Sequence, residues 1–347
     1  MPQTQIGPIQ IFQPSAGDTA PDSVTIAGNF LFVAYANNVA SDGTGPGTSE
    51  IVQYDLSGHI VRTYDITGAV DGLKFDPVTE KLWALQNQDG NSTLTIIDPE
   101  THQVSKPLHY ENTSATRGFD DVVFQDGKVF LSVSNPASPN DAVIVSLDGG
   151  NHPKGALETD PILKAGATGT NTVTGATDQA IPITDPDSLK AAPNGDLLLS
   201  GGADGTIVDV HHAGKADQSV SFTHISDGKG GFASGLDDVI KTNASSGTFF
   251  LTDTSGNKVE SFHITGLNAN DYYASVSSLG GFGSVDPATG KFTLLVAAPG
   301  AHGIAFTPDE TAHSGDHSHP NGGDLMGHDQ HGPDPAAMHL HDGHWFV

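Results

Sequence analysis

Cysteine is absent from all 347 residues. That removes disulfides, thiolate metal sites and cysteine nucleophiles, and it leaves the redox compartment undecided. Basic residues are scarce: 14 Lys and Arg stand against 41 Asp and Glu, a formal net charge of −27. Neither nucleic acid nor an anionic membrane surface is therefore expected as a partner, because binding either needs a basic face. An acidic excess of this size favours metal ions and small cations, or else serves solubility or life in acid or salt. No run of 18 apolar residues exists, so no membrane-spanning helix is expected. No leader pattern is visible at Met1-Pro2-Gln3-Thr4. The low Lys and Arg count, with a chain rich in Asn, Thr, Gly and Asp, is the composition of an exported protein, which makes the expected location extracellular or periplasmic. There is no Ser-His-Asp nucleophile motif, phosphate loop or dinucleotide fingerprint.

What is present is a repeat. Arg117-Gly118-Phe119-Asp120-Asp121-Val122-Val123-Phe124 leads through Gln125-Asp126-Gly127-Lys128 into Val129-Phe130-Leu131-Ser132-Val133. An Asp-Gly between two β-rich runs marks a hairpin, because the turn needs positive φ and Gly supplies it. The same phrase starts at Asp22, Asp71, Asp187 and Asp237, and His302-Gly303-Ile304-Ala305-Phe306 is a sixth copy with His in the acidic place. After Asp237-Asp238-Val239-Ile240 the next strand expected is Thr248-Phe249-Phe250-Leu251. The steps between copies are 49, 49, 67, 50 and 65 residues. A period of about 40 to 50 residues, with four short strands per unit, is the signature of a β-propeller. Six copies predict an all-β, six-bladed propeller over residues 1–308; crowding between 237 and 302 leaves seven blades as the alternative.

In chain order, Ile6 to Phe12 is expected to complete the last blade and join the two chain ends. The 67-residue step contains Ala165-Gly166-Ala167-Thr168-Gly169-Thr170-Asn171-Thr172, which has no apolar period and reads as a surface loop or lid over 165–180. The 65-residue step holds more strands than one blade needs, so the sixth blade is expected to borrow from residues 270–297.

In a propeller, equivalent positions of the innermost strands meet at one end of the channel. Asp22, Asp71, Asp120, Asp187 and Asp237 would then form a ring of carboxylates with His302 in the sixth place. Carboxylates brought that close must take up protons or bind a cation. An oxygen-rich site suits a divalent metal, Ca2+ first; the His shifts the preference toward Mn2+, Fe2+ or Zn2+. The alternative is that these residues are turn formers bonded to backbone N–H groups. In the pairs Asp120-Asp121 and Asp237-Asp238, strand alternation predicts that only the first faces the lumen and the second bonds a neighbouring blade. From residue 309 to 347 the composition changes to a His-, Asp- and Gly-rich tail. Its histidines, His313, His317, His319, His328, His331, His339, His341 and His344, are spaced to converge on Zn2+, Cu2+ or Ni2+ without a preformed scaffold.

Several phrases resemble a known family. Asp71-Gly72-Leu73-Lys74-Phe75-Asp76-Pro77, Asp187-Ser188-Leu189 with Pro193-Asn194-Gly195, Phe250-Leu251-Thr252-Asp253-Thr254 and His302-Gly303-Ile304-Ala305-Phe306-Thr307-Pro308 look like inner strands of NHL-type propellers. They are similar too to those of the gluconolactonase and senescence-marker-protein group. The resemblance spans about 22–308. It implies one divalent metal in the channel, held by acidic and amide side chains at the starts of inner strands, that opens a lactone. Carried over by position, the ligands are Asp22, Asp71, Asp120, Asp187 and Asp237. The family's Asn-Gly start is here Asp71-Gly72 or His302-Gly303, and its first-blade Glu is here Asp22. Two function classes follow: a secreted propeller that binds metal in its acidic channel and His-rich tail, and a metal-dependent lactonase or esterase in which one free Asp is the general base.

Overall fold

Strand after strand begins where a turn residue stops the previous one. At Asp126-Gly127 both residues have positive φ, 51° and 73°, as a two-residue hairpin requires. The computed structural model describes residues 4–45, 47–111, 117–150, 152–153 and 155–309. These form six sheets, antiparallel but for one edge pair, arranged as the blades of a propeller. The innermost strands are Pro21–Ala27, Val70–Asp76, Phe119–Gln125, Pro186–Ala191, Leu236–Ile240 and Ala301–Pro308. Each touches the next, and the sixth returns to the first, so six blades close the ring.

Second strands such as Phe30–Tyr35, Leu197–Gly201 and Tyr272–Val276 are buried almost end to end. A blade is covered on both faces by its neighbours, so these strands read as unbroken apolar runs without alternation. Six apolar clusters result, one in each blade-to-blade interface. The cluster that closes the ring holds Phe12, Val24, Tyr54, Phe250 and Val259. Phe12 is fully buried, with its ring edge-on to Tyr54 and Phe250 at 5.6 and 5.9 Å. Burying a side chain of that size contributes about 1.5–3 kcal/mol.

The closing blade is assembled from three parts of the chain. Gln5–Ile6 and Gln10–Phe12 pair with Lys258–Thr265, which pairs with Ser246–Asp253, which pairs with Ala301–Pro308. The expected role of the N-terminal strand is met. The expected loan from 270–297 is not. Tyr272–Val276, Gly281–Asp286 and Lys291–Ala297 stay with Leu236–Ile240 in the fifth blade, and the hairpin 246–265 is the part that crosses into the sixth. Leu236–Ile240 therefore pairs with Tyr272–Val276, not with the sequence-adjacent Thr248 run. Sequence adjacency misleads here because both candidate partners are apolar β-formers, and only packing against the next blade separates them.

Residues 165–180 also differ from expectation. Thr168–Asn171 pairs antiparallel with Gln179–Ala180 and parallel with Ser219–His224, widening the fourth blade to six strands. A strand at an exposed edge needs β-branched residues and free backbone groups more than an apolar face, and Thr168, Thr170 and Thr172 supply the former. Thr172 Oγ1 also donates to Pro287 O (2.7 Å), tying the fourth blade to the fifth. No helix among the described residues is long and apolar enough to cross a membrane.

Candidate metal centre in the axial channel

All six inner strands carry the same irregularity at the same place. Residues 22–23 face only Ala34, 71–72 only Leu85, 120–121 only Ser132, 187–188 only Ser200, 237–238 only Ser275 and 302–303 only Thr252. Two residues opposite one is a β-bulge, which bends the strand and re-aims its side chains. Four of the six opposing residues are hydroxylic and bond the bulge: Asp121 N donates to Ser132 Oγ and Asp238 N to Ser275 Oγ, each at 2.9 Å. Ser200 Oγ and Thr252 Oγ1 donate to Asp237 O and Asp22 O of the following blade, each at 2.6 Å.

The bulge overturns the alternation argument. Both members of each pair, Asp120 with Asp121 and Asp237 with Asp238, line one cavity of about 310 Å3 on the axis. Asp22, Asp71, Asp187 and His302 line it as well, so all six residues of the expected ring meet there. They do not converge equally. Donor atoms of Asp22, Asp237 and His302 lie within 4.8 Å of one another. His302 Nδ1 faces Asp22 Oδ1 at 3.0 Å and Asp237 Oδ1 at 2.8 Å. Asp71, Asp120 and Asp187 surround the same space without forming so tight a group.

The second residue of each bulge stitches the blades together. Ser23 Oγ accepts from Leu73 N, Asp121 Oδ2 from Leu189 N and Asp238 Oδ2 from Ile304 N, at 2.9, 3.1 and 2.7 Å. The expected bond from the second Asp to a neighbouring blade is thus present in both pairs. Where that residue is glycine, the reason is close approach: a Cβ on Gly72 would stand 2.4 Å from Asp120 O, and one on Gly303 2.6 Å from Asp22 O. Two lysines lie between these carboxylates. Lys190 Nζ is 2.8 Å from Asp238 Oδ2 and 3.4 Å from Asp121 Oδ2, and Lys74 Nζ is 3.6 Å from Asp121 Oδ2.

Nine carboxylates and two groups able to carry positive charge, Lys190 and His302, line the cavity, with Lys74 beside Asp121, and the protonation balance follows. Burial raises Asp71, Asp120 and Asp187 well above the usual carboxylate range. The like charges of Asp22 and Asp237 add to this at Asp71, those of Asp71 and Asp185 at Asp120, and those of Asp237 and Asp120 at Asp187. Burial also raises Asp237, against the pull of His302. Asp237 foremost, and Asp22 after it, push His302 up to about 12 although burial works the other way. Burial brings Lys74 down to about 8 against the attraction of Asp121. Burial acts in the same direction on Lys190, but Asp238 and Asp121 outweigh it and hold Lys190 charged. For Asp121 burial is outweighed by Lys74 and Lys190, so it stays ionised.

The donor set fits a divalent cation. Asp120 is 7% exposed, lines the cavity, and its Oδ2 has no hydrogen-bond partner among the described residues. A buried carboxylate oxygen without a partner has either a proton or a cation to accommodate. Lys74 and Lys190 were missed by motif reading, and a signal existed: both stand three residues after the Asp of their copy, in a chain with 14 basic residues. The tail histidines, His313 to His344, lie outside the described residues.

No protein-family model matches this chain, and no curated sequence matches it either. Among solved structures it is similar to a periplasmic gluconolactonase of Pseudomonas aeruginosa, at 12% identity, 82% of this chain, 88% of that one and a TM-score of 0.48. A virginiamycin B lyase from Staphylococcus aureus is 13% identical over 88% of this chain and 96% of its own, with a TM-score of 0.47. A Bacteroides caccae protein of unknown function is 10% identical over 82% of this chain and 86% of its own, with a TM-score of 0.49. At 10–13% identity, none of them transfers its activity to this chain.

Proposed function

We propose that the axial channel is a divalent-cation centre and that it hydrolyses a small polar ester or lactone. The observation that carries the cation is the buried Oδ2 of Asp120, without a hydrogen-bond partner among the described residues, inside a ring that also contains Asp22, Asp71, Asp187, Asp237 and His302. Oxygen donors alone would favour Ca2+; recruitment of His302 would favour Mn2+, Fe2+ or Zn2+. When bound, such an ion polarises a carbonyl as a Lewis acid.

The chain's own groups supply the remainder. Asp71 and Asp187 have proton affinities raised well above the usual carboxylate range by burial and like charge, which suits a general base that takes a proton from water. Lys190 and Lys74 hold Asp121 and Asp238, a second tier of carboxylates, in place, and the two lysines keep Asp121 ionised. The cavity is polar and of a size to admit a small substrate. In this reading the chain is exported, and the tail histidines form a second, imidazole-held metal store.

The test uses the full chain, stripped with chelator and then given Ca2+, Mn2+ or Zn2+. One of these should raise the melting temperature by mass action and switch on hydrolysis within a panel of lactones and aryl esters. Asp120→Asn should lose both responses while remaining folded. If Asp120→Asn matches the parent protein under every cation, the ring is structural and the proposal fails.

A further inference from the structure

A second constellation lies at the other end of the fourth blade, away from the bulges. Asp196 follows the turn after Pro186–Ala191, and Asp209 and His211 stand two apart on Thr206–His211. Alternation puts Ile207, Asp209 and His211 on one face, and the cross-strand pair Leu198–Asp209 puts Asp196 on that face too. This is the face packed against the fifth blade: Leu198 and Ile207 belong to the apolar cluster between the two blades. The apolar interface therefore ends in two carboxylates and an imidazole.

We infer that Asp196, Asp209 and His211 form a second metal site, separate from the channel, for a first-row divalent ion of the Zn2+ type. Donor atoms of the three residues lie within 4.8 Å of one another. His211 Nδ1 is 2.7 Å from Asp196 Oδ2 and 3.6 Å from Asp209 Oδ1. Asp209 is 3% exposed, and Oδ1, the oxygen directed at this group, has no hydrogen-bond partner among the described residues. Its other oxygen is 3.4 Å from the Tyr272 hydroxyl of the fifth blade. The far ring nitrogen of His211, Nε2, meets Ser221 Oγ at 3.3 Å, and Asn194 Nδ2 donates to Asp196 Oδ2. Metal ligands are held in this way by outer partners that orient them.

Two carboxylates and one imidazole are a donor set for Zn2+, Mn2+ or Fe2+, not for a purely oxygen-coordinated ion. His211 is 38% exposed in its side chain, so the site has a solvent-facing side from which an ion enters and on which water can complete the coordination. The competing arrangement is a metal-free ion pair between His211 and the two carboxylates.

The experiment is anomalous scattering at the zinc edge from crystals of the full chain grown with ZnCl2. It is paired with equilibrium dialysis of the same chain at fixed free Zn2+. A peak bonded to Asp196, Asp209 and His211, and the loss of one equivalent of Zn2+ per chain in Asp209→Asn and in His211→Gln, are expected. Asp120→Asn should leave this equivalent in place, so failure of the channel proposal and failure of this one are distinguishable. Circular dichroism of both variants checks that they fold. A folded Asp209→Asn with unchanged zinc content overturns the inference, as does a map with zinc elsewhere and none here.

Discussion

Lys190→Met isolates the second tier of the channel. In the native protein the Lys190 side chain is 12% exposed, and its ammonium lies 2.8 Å from Asp238 and 3.4 Å from Asp121. Those two carboxylates also accept the amides that tie the fifth blade to the sixth and the third to the fourth. Methionine keeps the aliphatic bulk and removes the charge. Asp238, 1% exposed, then has no cation within salt-bridge distance among the described residues, and Asp121 keeps only Lys74 at 3.6 Å. Breaking a buried pair from one side costs about 3–5 kcal/mol, because the remaining charge stays desolvated. Lys74 covers part of the loss at Asp121, so the lower half of that range is expected. The exposed pair Lys215–Asp126, at 3.8 Å with both side chains more than half exposed, is the control. Lys215→Met should cost less than about 1 kcal/mol. Urea unfolding of the two variants, compared at their midpoints, gives both numbers. Adding Asp238→Asn to Lys190→Met should recover part of the loss, since it removes the orphaned charge. If Lys190→Met costs no more than Lys215→Met, the lysine does not neutralise the tier, and Asp121 and Asp238 must be balanced by protons instead.

Three other outcomes follow from the same geometry. Asp71, Asp120 and Asp187 hold protons more tightly folded than unfolded, and so does His302 at about 12 against its ordinary ~6.5. The folded state then binds more protons, stability falls as pH rises, and in chelator the melting temperature should climb as pH is lowered from about 8 to 6. A saturating cation should flatten that slope, and a rise toward pH 8 in chelator would contradict it. Gly72→Ala drives a Cβ into the backbone at Asp120, and overpacking of that kind costs about 1–3 kcal/mol, read by thermal unfolding. Phe12→Ala opens the closing interface and should cost about 3–5 kcal/mol; near-neutrality would show that the N-terminal strand does not seal the ring.

The recurrence of an Asp at steps near 49 residues was enough to read six blades and the six residues that meet on the axis. A repeated unit must place equivalent residues at equivalent positions once the ring closes. The N-terminal strand was legible for a related reason: a closed ring leaves an unpaired edge that only a terminal segment can fill. Three features were decided by the tertiary structure alone. The crossing of the hairpin 246–265 into the sixth blade depends on which apolar strand packs against which neighbour, and local β-propensity is equal for both. The bulge that turns both Asp120 and Asp121 toward the cavity is a register property of two strands and has no trace in one. The grouping of Asp196, Asp209 and His211 joins a turn to a strand that follows it, and Asp209 is buried beside Tyr272 of the next blade. Sequence order carries the period; the contacts between blades decide which of the repeated side chains share a space.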